Sequence, residues 1–129
     1  MGRLEEILLV GAGGFLGAIA RFMVSRAANS FFGAAFPWGT FIINVSGSFL
    51  LGAIATLAAE KLIPHSDALR LTVAIGFIGA YTTFSTFEFE SNALLEDGNW
   101  LFALANIAGS VVVGFIALKL GIAISRRLA

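Results

Sequence analysis

The sequence has no cysteine, one histidine and few charged residues, since Asp, Glu, Lys and Arg make up only 12% of its 129 positions. The absence of cysteine excludes disulfides, thiolate metal sites and cysteine nucleophiles. The single histidine, His65, has no second histidine or cysteine to complete a metal site. Eight basic residues balance eight acidic ones, so neither a nucleic-acid surface nor a purely electrostatic membrane anchor is indicated. Because no nucleophile, base and orienting acid can be assembled, we expect no enzymatic activity.

Apolar residues dominate what is present, at 58% of the chain and a mean hydropathy of +0.92. Soluble domains are about one quarter charged, and a domain of this size needs a charged surface. A bilayer core is crossed by about 20 apolar residues in a helix. The sequence therefore predicts an all-α integral membrane protein with four transmembrane helices, at about residues 7–28, 39–59, 69–95 and 100–120. We expect the first to be a span rather than a cleaved signal peptide, because no cleavage site precedes a polar domain.

The chain also resembles itself at an offset of 62 residues. Residues 9–55 align with residues 71–117 without a gap, and 14 of the 47 pairs are identical. The matches include Asn44 with Asn106 and Ser48 with Ser110. Each repeat contains two helices, so both copies would have the same orientation. The sequence thus predicts a parallel internal repeat in a single membrane domain.

Polar side chains recur at every fourth residue on two of the predicted helices. Thr40, Asn44 and Ser48 form one track on the second helix, while Asn106 and Ser110 form another on the fourth. Such groups are explained by interhelical hydrogen bonds worth about 1 kcal/mol each. Uncharged donors would equally suit a small, strongly hydrated anion that must replace its water. Composition alone leaves both explanations open.

The third predicted helix contains a segment that is poorly suited to an uninterrupted span. Residues 76–87 include two glycines and three threonines, which have low helix propensity. Non-helical backbone at membrane depth occurs only where it is buried or lines a cavity, and its free carbonyl groups can hold a cation. We therefore predict that this helix is broken in mid-membrane and that the break is functional.

This segment also carries a recognisable motif. Residues 82–87 read TTFSTF and are followed by Glu90, which resembles the signature of the Fluc (CrcB) fluoride channels. The first helix supplies Gly14-x-x-Gly17-Ala18-x-x-Arg21, and Pro37-x-Gly39-Thr40-x-x-x-Asn44-x-x-Gly47 leads into the second. The resemblance covers all four helices in order.

The resemblance implies a passive, highly selective channel in the cell membrane that exports fluoride down its electrochemical gradient and protects the cell from fluoride toxicity. It also implies an antiparallel, dual-topology homodimer with two pores and a structural sodium ion at its centre. Backbone carbonyls of Gly79 and Thr82 match the sodium ligands. Phe84 and Phe87 match rings whose positive edges face fluoride.

Further residues match the fluoride pathway of the family. Asn44 and Thr40 correspond to pore-lining donors, Ser85 and Thr86 lie beside the rings, and Glu90 matches a family glutamate. The resemblance gives Arg21 the role of drawing anions into a vestibule, although its position near a helix end equally suits a snorkelling side chain. The full predicted pathway consists of Phe84, Phe87, Asn44, Thr40, Ser85, Thr86, Asn106, Ser110, Glu90 and Arg21.

Two other classes of protein have this size. A proton-coupled exporter of the small multidrug type needs an acidic residue within its first helix, and none lies between Ile7 and Ala28. A structural subunit that transports nothing would leave the polar tracks unexplained.

The basic residues bear on orientation. Five of them flank the spans on the side of the two termini and one, Arg26, lies on the other side, a bias that favours a single orientation. We nevertheless predict dual topology, because the paired pores of the resembling family depend on it.

Overall fold

The computed structural model describes residues 1–128, which form helices and contain no strand. Four helical stretches are long and apolar enough to cross a membrane, so the prediction of an all-α fold with four spans is confirmed. The elements are α1 (Arg3–Phe32), α2 (Trp38–Ala59), α3 (Ser66–Leu69), a π-helical segment (Arg70–Ile78), α4 (Gly79–Tyr81), α5 (Phe84–Glu96) and α6 (Trp100–Arg127).

The helices of the first and fourth spans continue beyond the predicted apolar stretches. α1 has 30 residues and α6 has 28, and at about 1.5 Å per residue each is longer than the hydrocarbon core of about 30 Å. Hydropathy marks only the segment in contact with lipid tails, so it underestimates helices that extend into the interface. Gly33 ends α1 with a positive φ of 76°, a conformation that glycine adopts without steric cost.

The third span, Ser66–Glu96, has the least regular backbone. Its π segment has wider turns than an α-helix, and the sequence had given no signal for it. After α4, the backbone becomes extended at Thr82 (φ −76°, ψ 157°) and Thr83 (φ −151°, ψ 118°), and α5 then begins at Phe84. The backbone thus leaves the helical conformation inside the threonine-rich segment.

Glycines allow the spans to approach closely in two pairs. α1 packs on the π segment, where a Cβ atom on Gly13 would overlap the carbonyl oxygen of Thr72 and one on Gly17 would overlap that of Phe77. α2 packs on α6 in the same way, because a Cβ atom on Gly121 would overlap the Phe49 carbonyl oxygen. Small residues favour such backbone contacts in membranes. The first span is therefore paired with the third, and the second with the fourth.

This pairing brings together helices that are equivalent in the predicted repeat. Gly14 and its equivalent Gly76 face each other, since a Cβ atom on Gly14 would lie 3.8 Å from the Gly76 oxygen. Much of the outer surface is apolar, and Phe15, Phe22 and Val111 are each more than 60% exposed. Such a surface is suited to lipid.

Candidate ion pathway and cation site

The extended backbone between α4 and α5 is held by one side chain of α2. Asn44 Nδ2 donates to the Thr83 carbonyl oxygen at 3.0 Å, and the Thr83 N–H donates to Asn44 Oδ1 at 2.8 Å. Leaving a helix frees backbone polar groups that must find other partners. Asn44 satisfies both backbone polar groups of Thr83 at once. Its side-chain amide therefore replaces hydrogen bonds that a continuous helix would have made.

Thr83 also begins the following helix. Its hydroxyl oxygen accepts from the Thr86 N–H at 3.3 Å, the typical bond of a threonine at a helix start, and the hydroxyl donates to Thr86 Oγ1 at 3.1 Å. The adjacent Thr82 uses both of its donors on one acceptor, since its N–H and its hydroxyl each lie 3.0 Å from the Ile78 carbonyl oxygen. Each threonine therefore stabilises one side of the interruption.

A first cavity of about 270 Å³ lies on one side of Thr83. Its wall combines hydroxyl and amide groups of α2 and α6 with the two motif phenylalanines, whose ring centroids are 5.9 Å apart. Phe87 is buried, whereas Phe84 is 70% exposed on the surface of the single chain. The lining residues are Asn44, Gly47, Ser48, Leu51, Ile78, Thr82, Thr83, Phe84, Phe87, Ser110 and Val111.

A second cavity, of about 280 Å³, shares Thr83 with the first. It contains the only charged residue that lines either of these two cavities, Arg21, together with the hydroxyl groups of Thr40, Thr86 and Ser25. Thr83 lines both cavities. The residue held by Asn44 is therefore common to a cavity with a cationic side chain and a cavity lined by uncharged polar groups and phenylalanine rings.

Asn106 reaches the first cavity only through a neighbour. It is fully buried, its Oδ1 accepts from the Ser110 hydroxyl at 3.2 Å, and its Nδ2 donates to Ser91 Oγ at 2.9 Å. Ser91 in turn donates to the carbonyl oxygen of Phe87 at 2.7 Å. This chain of bonds connects the cavity lining at Ser110 with the backbone of a motif phenylalanine.

Comparison with known proteins identifies the family. The sequence pattern described as "CrcB-like protein, Camphor Resistance (CrcB)" matches residues 8–122. The chain belongs to the CrcB family. A relative from Solibacter usitatus is 44% identical over 95% of this chain and 99% of its own length, and one from Prosthecochloris aestuarii is 44% identical over 96% and 95%. A third, from Magnetococcus marinus, is 40% identical over 94% and 98%, and all three are named "Fluoride-specific ion channel FluC".

Most of the pathway residues predicted for this CrcB protein line one of the two cavities. Asn44, Ser110, Phe84 and Phe87 line the first cavity. Thr40, Thr86 and Arg21 line the second. The chain is a multi-pass membrane protein, as its four spans and its family indicate.

Three predicted residues lie outside both linings. Ser85 is exposed at the start of α5, and Asn106 is buried behind Ser110. Glu90 is half-buried beside the Thr40 hydroxyl, and its Oε2 atom is buried without a hydrogen-bond partner. An unpaired buried carboxylate oxygen is costly in a membrane, and the predicted pathway role of Glu90 stays a prediction.

Sequence reasoning missed two residues that build the site. Thr83 was noticed only as part of the motif, and Ser91 was not noticed, although both mediate contacts between spans. Ser91 lies four residues after Phe87, the spacing at which a serine hydroxyl can bond a preceding carbonyl. That spacing was the available signal.

Of the two residues predicted to hold sodium, Gly79 has a carbonyl oxygen that suits a cation. The Thr83 N–H would donate to the Gly79 carbonyl oxygen in a continuous α-helix, but it donates to Asn44 instead. Gly79 is exposed, and a Cβ atom added to it would meet nothing within 4 Å in the same chain. Neutral carbonyl oxygens suit a hard cation, and residues 1–128 contain no group of three carboxylate or histidine side chains that could hold a metal.

Proposed function

We propose that this CrcB protein is a passive fluoride channel that exports fluoride from the cell. The observation that carries the proposal is the first cavity, which uncharged polar side chains of two spans line together with Phe84 and Phe87. The relatives named as fluoride-specific channels support it. Membership of this family favours a channel over an enzyme and gives no support to the multidrug-type exporter.

Fluoride holds its hydration water strongly, so a pathway must supply replacement hydrogen bonds. Asn44 Nδ2 keeps a second hydrogen for an anion, whereas the hydroxyls of Ser48 and Ser110 donate to the Asn44 carbonyl oxygen at 2.7 Å and to Asn106 Oδ1 at 3.2 Å and would have to turn towards it. Phenylalanine edges offer the positive side of an aromatic quadrupole. Several weak sites allow an anion both to enter and to leave. Arg21 would attract anions into the second cavity, and Thr40 and Thr86 would pass them towards Thr83.

We further propose an antiparallel homodimer in the cell membrane, with the break of the third span near mid-membrane. Gly79 and Thr82 of both copies would hold one sodium ion through backbone carbonyls, and the ion would stabilise the pair. The exposure of Gly79 and of Phe84 supports this assembly, because neither is covered within one chain. A second copy would complete the open side of the first cavity.

The decisive experiment is an ion-efflux assay with purified protein in liposomes. Vesicles loaded with potassium fluoride should lose it down its gradient once a potassium ionophore is added to carry the compensating charge, while vesicles loaded with potassium chloride should retain their contents under the same conditions. Empty liposomes are the control for leakage. Comparable chloride and fluoride efflux, or no efflux of either ion from vesicles that contain folded protein, would refute the proposal.

A further inference from the structure

We infer that Asn44 is a positioning residue for the central cation, because its amide holds the third span open and releases the Gly79 carbonyl oxygen. The inference rests on the proposed cation site. It gives Asn44 a second role besides lining the first cavity. The inference is based on the pair of hydrogen bonds between Asn44 and Thr83 and on the exposure of Gly79.

The first step concerns competition for one N–H group. In an α-helix the N–H of residue 83 would bond the carbonyl of residue 79. Asn44 Oδ1 takes this donor at 2.8 Å, and Asn44 Nδ2 occupies the Thr83 carbonyl at 3.0 Å. The two opposed bonds resemble those that a neighbouring strand makes, and they fit the extended φ and ψ of Thr83. Asn44 thus stabilises the open backbone over the helical one.

The second step concerns the chemistry of the side chain. The asparagine amide offers a separate acceptor atom and a separate donor atom side by side in one plane, which its isosteres aspartate and leucine do not. Aspartate keeps the acceptor but places a second oxygen against the Thr83 carbonyl. Gly47, one turn further along α2, brings the same helix against the break, since a Cβ atom there would overlap the Thr82 methyl group. α2 therefore contacts both extended residues.

The third step concerns the polar groups that the non-helical backbone exposes. Gly79 is exposed, with free space beside it in the chain. Both donors of Thr82 are directed at the Ile78 carbonyl and so do not face a cation that binds near Thr82. The surface at Gly79 thus presents a carbonyl oxygen without its helical donor, while the donors of Thr82 point elsewhere. Such a surface favours a cation over an anion.

The test uses thermal unfolding of the detergent-solubilised protein after dialysis into sodium-free buffer, followed over a series of sodium concentrations. A ligand that binds only the folded state stabilises it by RT ln(1 + [L]/Kd), so the sodium concentration at which the unfolding temperature starts to rise, the onset concentration, reports the dissociation constant. We expect Asn44→Ala and Asn44→Asp to raise this onset concentration by about tenfold or more, equivalent to about 1.4 kcal/mol. Asn44→Gln retains the amide and should recover part of the loss.

Asn106→Ala is the matched control, because Asn106 is the repeat equivalent of Asn44 but bonds side chains rather than the break. It should lower the unfolding temperature without changing the onset concentration of sodium. An unchanged onset concentration in Asn44→Ala would overturn the inference, as would failure of both Asn44→Ala and Asn44→Asp to fold in a large excess of sodium. If the wild-type protein shows no sodium effect but still conducts fluoride, the inference fails while the proposed channel stands.

Discussion

At the scale of single residues, the two motif phenylalanines differ in their surroundings. Phe87 is buried and its carbonyl accepts from Ser91, whereas Phe84 is exposed on the single chain and would be covered by the second copy in the proposed dimer. Both rings line the first cavity. Their proposed role depends on the positive ring edge, which an aliphatic side chain of similar volume lacks.

Replacing either phenylalanine by isoleucine should therefore reduce fluoride efflux from liposomes by at least about tenfold, as expected for the loss of about 1.4 kcal/mol or more of stabilisation along the path. Phe89→Ile is the matched control, because Phe89 belongs to the same helix and is 76% exposed. It should conduct like the wild-type protein. Size-exclusion chromatography checks that each variant is folded. Undiminished efflux in both Phe84→Ile and Phe87→Ile would contradict the assignment.

Some features of the site could be predicted from the sequence, and others could not. Phe84, Phe87 and Asn44 were predicted because the motif and the four-residue polar spacing are visible in the sequence. The bond between Asn106 and Ser91 was not predicted, since it depends on which faces of α5 and α6 meet. Spacing along one helix gives a row of side chains, but it does not give their partners on another helix.

At the scale of elements, the contact between α1 and the π segment depends on glycine. A Cβ atom on Gly17 would overlap the Phe77 carbonyl oxygen, and backbone atoms cannot move aside as a flexible side chain can. Gly11, on the same helix, has nothing within 4 Å of an added Cβ atom. The two positions therefore differ in packing.

Gly17→Ala should destabilise the protein by about 1 to 3 kcal/mol, the usual effect of excess volume in a packed interface. Gly11→Ala should be neutral or slightly stabilising, because alanine favours helix more than glycine does. Denaturant titration in detergent measures both effects. Equal stability of the two variants would show that α1 and the π segment do not pack as closely as described.

The helices could be predicted from hydropathy, whereas their internal winding could not. The sequence of Arg70–Ile78, RLTVAIGFI, has the composition of an ordinary apolar helix. Its π conformation accompanies the close approach of Gly76 to α1, where an added Cβ atom would lie 2.6 Å from the Val10 carbonyl oxygen. Such an approach depends on tertiary packing, which the composition of the segment does not determine.

At the scale of the whole molecule, the sequence and the proposed assembly favour different orientations of the chain in the membrane. The excess of basic residues beside the termini favours one direction of insertion, while the proposed pair of pores needs both directions. Because the chain has no cysteine, a single introduced thiol reports orientation without interference.

Gly2→Cys should be labelled from outside intact cells by a membrane-impermeant reagent in about half of the molecules, because each orientation would be equally populated. Ala34→Cys, in the connection between α1 and α2, is the control on the opposite side and should also be labelled by half. Complete labelling at one position with complete protection at the other would establish a single orientation and exclude the antiparallel homodimer.

The two ends of the four-helix unit differ in chemistry. One end has an aromatic cluster, in which the rings of Phe36 and Trp38 lie 4.8 Å apart, and the other has the ion pair of Arg126 with Glu60 at 3.4 Å. In an antiparallel pair each leaflet would meet one end of each kind, and turning the pair upside down would reproduce it. Such an assembly would keep the same anchoring energy if the lipid compositions of the two leaflets were exchanged.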